Sequence, residues 1–454
     1  MKKSVLVTIS LLMALTFILS ACGAGASSAK APADNASTQA PADNTAAAAT
    51  TDSGGAGGAK TPILFWFPHG SDPDKTTLEN MVKDFNAKYP QYNATAEYIG
   101  SSGAGVGMTD KLMTAIAGGN APDVVLFDRF MVGQWASEGL FTDISAEAAA
   151  ASVTKDLFYD FAWKEASLNG KLYAMPFDTD DRALYCNMDL LGAAGFEPPK
   201  TIADLDKIAD ALTKKEGNRF IQIGIVPWFS QGFLYTWAGA FGAKFQDEAT
   251  GKITFDDPKA VQALEWMVTY ADKFGMEAIT DFTNAASGGD INPFAAGMFA
   301  MMVSGPWEVS GLKTRAPDMK YTIVSVPTPD GHVAATMAGG WSMVVPMGRK
   351  DLKAAFALAK YMTTEEGATR YGEETTHFMT LKSVNDNLSW VKNDPLFDVF
   401  VKGFPNAFCR PVIPKGQLLW DEQMTAQNNA LNHVDTPANL LKAMTAKVNA
   451  ELGF

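Results

Sequence analysis

One stretch, residues 169–189 (NGKLYAMPFDTDDRALYCNMD), constrains this chain more than any other. It opens with a turn at Asn169-Gly170 and runs into an apolar, strand-like piece over 172–177. Three carboxylates, Asp178, Asp180 and Asp181, and then Arg182 follow directly, before an extended run through Ala183-Leu184-Tyr185-Cys186. Open α/β sheets bind ligands outside the carboxyl ends of their strands, so polar side chains become useful here. The pattern recurs. Strand-like pieces also end at Phe67 and His69, at Asp128-Arg129, at Pro227-Trp228, and at Gly305-Pro306-Trp307. Five such endings describe the wall of one cleft.

The chemistry at those endings suits a sugar. Hydroxyls ask for planar acceptors and donors such as Asp and Arg, while the C–H faces of the rings stack on Trp and Tyr. The candidate ligand-binding residues are therefore His69, Asp128, Arg129, Asp178, Asp180, Trp228 and Trp307, with Gly339-Gly340-Trp341, Arg410 and Trp420 added from later turns. Each has a plainer reading: a cap, an ion pair or a packing side chain. Arg129 could hold Asp128 in place, and Arg410 could pair with the acidic 178–181 segment. Trp135, Trp163 and Trp266 lie within helical stretches and are assigned to cores; Trp66, Trp237 and Trp390 rank low as ligand contacts.

With 454 residues, two domains are the expectation. The net charge of −13 leaves no basic footprint for nucleic acid, and loss of a leader carrying Lys2 and Lys3 would make it −15. That leader is the expectation: a basic start, an apolar run over 5–19 too short to span a membrane, then Leu19-Ser20-Ala21-Cys22. Residues 23–60 hold no Leu, Ile, Val, Met, Phe, Tyr or Trp, which describes a disordered tether with a reach on the order of 35 Å. Export puts Cys186 and Cys409 in a non-reducing compartment; a disulfide between them and a pair of free buried thiols are both open.

From there the chain alternates strands and helices. Strands are expected over 63–67, 221–226, 321–326 and 342–346, with another inside 120–130. Helices are expected over 75–89, 108–117, 201–216, 259–274 and 352–362; Thr201 and Asp204 frame the third, and Asp257-Pro258 caps the fourth. The Gly-rich run GSSGAGVG does not fit a phosphate loop. The four His (69, 332, 377, 433) show no metal-binding spacing, Asp178-Thr-Asp-Asp lacks the glycine and terminal Glu of a calcium loop, and there is no serine elbow. Asp178 and Asp180, ~7 Å apart on one strand face, keep an inverting glycoside hydrolase in view, although carboxyls on one strand lie side by side and do not flank a bond.

The 169–189 stretch resembles the segment "dGkxYavPfdtxtxxLyYNkdLf" of the bacterial extracellular solute-binding proteins of family 1, the maltose- and oligosaccharide-binding-protein-like lipoproteins of ABC importers. Three further matches follow in order. Asn120 to Asp128 resembles "GxxPDVV" with an Asp at the mouth, Trp135 to Leu140 resembles "xxxaxxGlL", and residues 294–307 resemble "FxxGkaAMxxxGpW" with Met298 replacing the usual Lys. The resemblance covers roughly 62–445. It implies an α/β fold of the periplasmic-binding-protein type II, with two discontinuous lobes on a multi-segment hinge and the ligand cleft between them. By that analogy 1–21 is a signal peptide, and 22–60 a tether on lipidated Cys22. The first lobe takes 61–181 and 342–390, the second 186–338 and 393–454, with hinge crossings at 182–185, 339–341 and 391–392. The implied protein is not an enzyme and needs no cofactor. It is a monomer lipid-anchored outside the cell membrane that closes on a carbohydrate and hands it to ABC permease subunits. A sensor partner of a membrane receptor, or a binder of a polyol or glycerophosphodiester, would use the same fold.

Overall fold

In a computed structural model, residues 59–100, 106–287 and 292–454 are described; the expected leader, Cys22, most of the tether and most of the GSSGAGVG run lie outside them. Residues 58–454 form one compact unit. Its larger sheet has five strands, in the order Tyr92–Tyr98, Thr61–Phe67, Val124–Asp128, Trp341–Val344, Ala174–Pro176. The first three run parallel, and Trp341–Val344 enters antiparallel between Val124–Asp128 and Ala174–Pro176. A strand far downstream in sequence of both its neighbours thus completes the sheet, which is why this half of the molecule is discontinuous in sequence.

The second sheet places Ala183–Asn187 between Met301–Ser304 and Tyr321–Ser325, antiparallel to both. Its central strand VVLFD-like counterpart in the first sheet, Val124–Asp128, and Ala183–Asn187 itself are buried almost throughout, as apolar runs covered on both faces must be. Two apolar clusters form around the sheets. One joins Ile63, Phe65, Phe127 and Met175 to Met343, Leu358 and Tyr371; the other joins Leu184, Leu205, Trp237 and Leu264 to Leu419, Leu441 and Val448. A third cluster, built from Phe161, Tyr185, Phe294, Phe378, Phe400 and Phe404, draws on segments between residues 161 and 404.

Local signals act where the sequence places them. Thr201 and Asp204 close a reciprocal capping box at the start of Ile202–Ala211, and Asp257 accepts from Lys259 N, with Pro258 at the first position of Pro258–Phe274. The first of these helices is shorter than its 201–216 expectation. The Thr213 hydroxyl donates back to Ala209 O, and the chain then turns through Gly217 (φ +58°) into the hairpin Lys214–Glu216 and Arg219–Gln222. Trp135 and Trp266 are buried and Trp237 is enclosed completely, as helix-borne packing residues should be.

Candidate functional site

The acidic turn after Ala174–Pro176 is inside the protein. Asp178 and Asp181 are each 2% exposed. Asp178 accepts from Trp341 N at 2.6 Å and lies on a two-residue strand against Phe378–Met379. Asp180 accepts from Gly339 N at 2.8 Å and pairs with the Arg182 guanidinium. Asp181 accepts from Arg182 N at 2.7 Å and from the Thr336 hydroxyl. Burial pushes the Asp178 carboxyl up to about 6 and that of Asp181 to about 7, against ordinary values of 3.8. These carboxylates tie the first crossing to the chain returning through 336–341. Gly340 is needed there: its φ is +129°, and a Cβ would collide with the Asp178 carbonyl oxygen and approach the Arg129 guanidinium. Gly339 lies against the Asp180 carboxylate in the same way.

Arg129, expected as a ligand contact, is turned into the protein. It is fully enclosed; Nε donates to Glu165 at 3.0 Å, and its terminal nitrogens donate to the Asp178 and Gly339 carbonyls. Four of its five N–H groups are used in this way, on Glu165 and on the Asp178, Gly339 and Trp341 carbonyls. Glu165, 1% exposed, was not singled out in the sequence; a lone Glu in a short amphipathic helix carries no signal of an arginine partner. Burial raises its carboxyl while Arg129 and Arg410 pull it down. Asp178, expected as a ligand contact, has its carboxylate buried and bonded to the Trp341 backbone. Asp128, half-buried, caps the turn Arg129–Met131 by accepting from Phe130 N, and sits 3.6 Å from Arg410.

The half-exposed residues are mainly aromatic. His69 meets the Trp341 ring edge-on at 4.8 Å; burial pushes its imidazole down to about 4. Trp341 is the register partner of Asp128 in the first sheet. Trp307 opens the helix Trp307–Arg315, lies over Gly305, and carries the Arg182 guanidinium 5.6 Å from its ring centre. Trp420, on the helix Gly416–Leu431, packs beside Phe233, Tyr235 and Phe130. Arg410 lies 3.9 Å over the Phe130 ring and 5.5 Å over Trp420. Contacts therefore run from His69 through Trp341, Asp128 and Arg410 to Trp420, and from Asp180 through Arg182 to Trp307. Trp228 packs half-buried on the second and third clusters instead. Phe130, missed in the sequence, stands beside Asp128-Arg129, and its position in that motif was the available signal.

Cys186 and Cys409 are free thiols, which corrects the disulfide alternative. Cys186 lies wholly inside the second cluster, whereas Cys409 packs on the third. Burial raises both thiols, Cys409 to about 12, so neither is a ready thiolate. Among the described residues no three His, Cys, Asp or Glu side chains are grouped to hold a metal. A cavity of about 840 Å³ opens beside Lys164, Phe245, Phe408, Cys409, Arg410 and Pro411, and one of about 300 Å³ beside Asp181, Arg182 and Lys402.

The profile of the bacterial extracellular solute-binding proteins matches residues 80–399. The maltodextrin-binding protein MdxE of Bacillus subtilis is 27% identical over 311 residues, covering 66% of this chain and 70% of that protein. The maltooligosaccharide ABC transporter solute-binding lipoprotein of Streptococcus pneumoniae is 24% identical over 392 residues, covering 81% and 86%. Among solved structures, CpMnBP1 with mannotriose bound superposes with a TM-score of 0.74 at 25% identity, covering 85% of this chain and 99% of that one. The GacH receptor of Streptomyces glaucescens, solved unliganded and with acarbose, shares the fold at a TM-score of 0.70 and 23% identity.

Proposed function

The chain belongs to the bacterial extracellular solute-binding proteins, and from that premise we propose that it captures an oligosaccharide between its two lobes and delivers it to ABC permease subunits. The relatives named for maltodextrin and maltooligosaccharides, and the mannotriose complex, favour a saccharide over other solutes. The observation that carries the reading is the Asp180–Arg182–Trp307 group. A carboxylate paired to a guanidinium stands beside a half-exposed indole, so hydroxyl-bonding groups and a ring-stacking face share one wall.

Trp341 with His69 supplies a stacking face on the first sheet, while Trp420 on the second cluster, and Trp307 at the head of a helix anchored in the third, supply further faces. A solute held by both halves favours the closed arrangement because only there does it meet both sets, which is population shift by differential affinity. The lobes are taken as 61–181 with 342–390 and 186–338 with 393–454. A hydrolase is disfavoured, since Asp178 is buried against backbone and leaves Asp180 without a carboxylate partner across a bond.

The leader and Cys22 support export and lipid anchoring at the outer face of the cell membrane, and incorporation of labelled palmitate should be lost in Cys22→Ala. For the solute, thermal unfolding of residues 61–454 is followed with malto- and manno-oligosaccharides, polyols and glycerophosphodiesters. A ligand at 100 times its dissociation constant adds about 2.7 kcal/mol, a rise of a few degrees. A selective rise with one saccharide series supports the reading; a rise only with glycerophosphodiesters moves the solute class, and no rise with any probe removes it.

A further inference from the structure

Two buried polar atoms face each other across 3.9 Å without a hydrogen bond: Nε of Arg410 and Oε1 of Glu165. Their residues are 9% and 1% exposed. Each group has another charged neighbour, Arg129 for Glu165 and Asp128 for Arg410, but a buried polar atom left without a hydrogen bond still carries a desolvation penalty. Closing the gap by about 1 Å would bring the pair to ordinary hydrogen-bond length and remove both orphans at once. The missing bond is therefore a directed force on whatever separates the two residues.

They sit on segments that the proposed lobes divide, 61–181 and 393–454, and they meet beside the third cluster, which holds Phe161 and Ala162 of the Glu165 helix and on which Cys409 packs. Glu165 precedes Ala166 of the first cluster and is fixed by Arg129, which grips the Asp178 and Gly339 carbonyls of the crossings. Arg410 lies between Phe408, which packs on the second cluster, and Ile413 within it. Its guanidinium stacks on Phe130 from one half and lies over Trp420 from the other. Packed interiors resist such shifts, but the cavity of about 840 Å³ beside Cys409, Arg410 and Pro411 leaves this segment room to move.

We propose that Arg410 is a positioning residue for solute capture: its Nε–H donates to Glu165 Oε1 when the lobes close, and that bond fixes Trp420 against the bound ring. The inference rests on the solute-binding reading above. Arg410 then acts through Trp420 and touches no solute atom itself. Lysine at this position keeps the charge and loses the Nε–H. Glutamine at 165 keeps an acceptor oxygen and loses the charge that strengthens the bond.

The test uses the full chain with maltotriose and mannotriose as probes. Arg410→Lys should raise the dissociation constant about 10-fold through a faster off-rate, with the on-rate and the melting temperature of the free protein nearly unchanged. Glu165→Gln should shift affinity in the same direction, and Arg410→Lys should cost nothing further in a Trp420→Ala background. Wild-type affinity in Arg410→Lys, or equal loss of free and bound stability, overturns the proposal. In the wild type, exchange of the Arg410 Nε–H with solvent, followed by NMR, should slow when a probe binds, and unchanged exchange also overturns it. If neither probe binds the wild type, the saccharide reading is what has failed. Small-angle scattering of the free protein in rising trimethylamine N-oxide, which favours compact states, then decides: the wild type should contract more than Arg410→Lys, and equal contraction overturns the proposal.

Discussion

At the first crossing, Asp178 and Asp181 are sealed from solvent, and one oxygen of each accepts from a backbone or hydroxyl group of the returning chain. Along the cleft walls, Trp307, Trp341 and Trp420 keep part of their rings exposed. Both regions follow the carboxyl ends of strands, and both carry residue types that recognise sugars. What separates them is exposure: Asp178 and Asp181 are sealed, whereas Asp180, although it accepts from Gly339 N, keeps 18% of its side chain open. In the proposed reading the buried acids and Arg129 hold the crossing, and the half-exposed indoles with Asp180 face the solute.

The comparison breaks most visibly at Arg129. Replacing it with Met should leave Glu165 buried without its closest counter-charge and cost about 3–5 kcal/mol, read as a fall in the denaturant midpoint of the free protein. A loss below 1 kcal/mol would mean the crossing is not held by this pair. On the other side, Trp420→Ala should weaken saccharide affinity about 10-fold or more through lost stacking and burial, with a smaller loss of stability, read by calorimetric titration.

Acid titration sharpens the same contrast. With Asp178 raised to about 6 and Asp181 to about 7, the folded chain holds protons that the unfolded chain has released above about pH 4. This stability is fully present below the unfolded value of 3.8 and is lost as pH rises through the folded values. Asp181→Asn should therefore flatten the decline between about pH 4 and 7, by on the order of 1 kcal/mol or more. His69, pushed down to about 4, acts in the opposite sense but is common to both proteins, so the difference isolates the carboxyl. The smallest effect is expected of the thiols: dithiothreitol should leave the melting temperature unchanged, and residues 61–454 should titrate two free thiols once unfolded. Finding no titratable thiol would reinstate the bridge.

Much of the fold was legible because its signals are local. The Thr201–Asp204 capping box and the Asp257-Pro258 helix start each need only neighbours. The buried strand Val124–Asp128 was readable from its own run of apolar residues. The division of the site was not. Asp178 and Asp180 look alike in sequence, and their fates are set by Trp341 N and Gly339 N about 160 residues away. Glu165 was invisible for the same reason: its meaning lies in Arg129 and Arg410, on other segments.

The most direct test is calorimetric titration of one bound saccharide against two variants, Trp307→Ala and Asp178→Asn. The account predicts that Trp307→Ala loses at least 10-fold in affinity while the free protein melts near the wild type. Asp178→Asn, which keeps an acceptor for Trp341 N, should bind within about threefold of the wild type, since a residue that only holds the hinge adds little to the solute's differential affinity. The reverse pattern, with binding intact in Trp307→Ala and lost in Asp178→Asn, would put the carboxylate on the solute and contradict the division between hinge and wall.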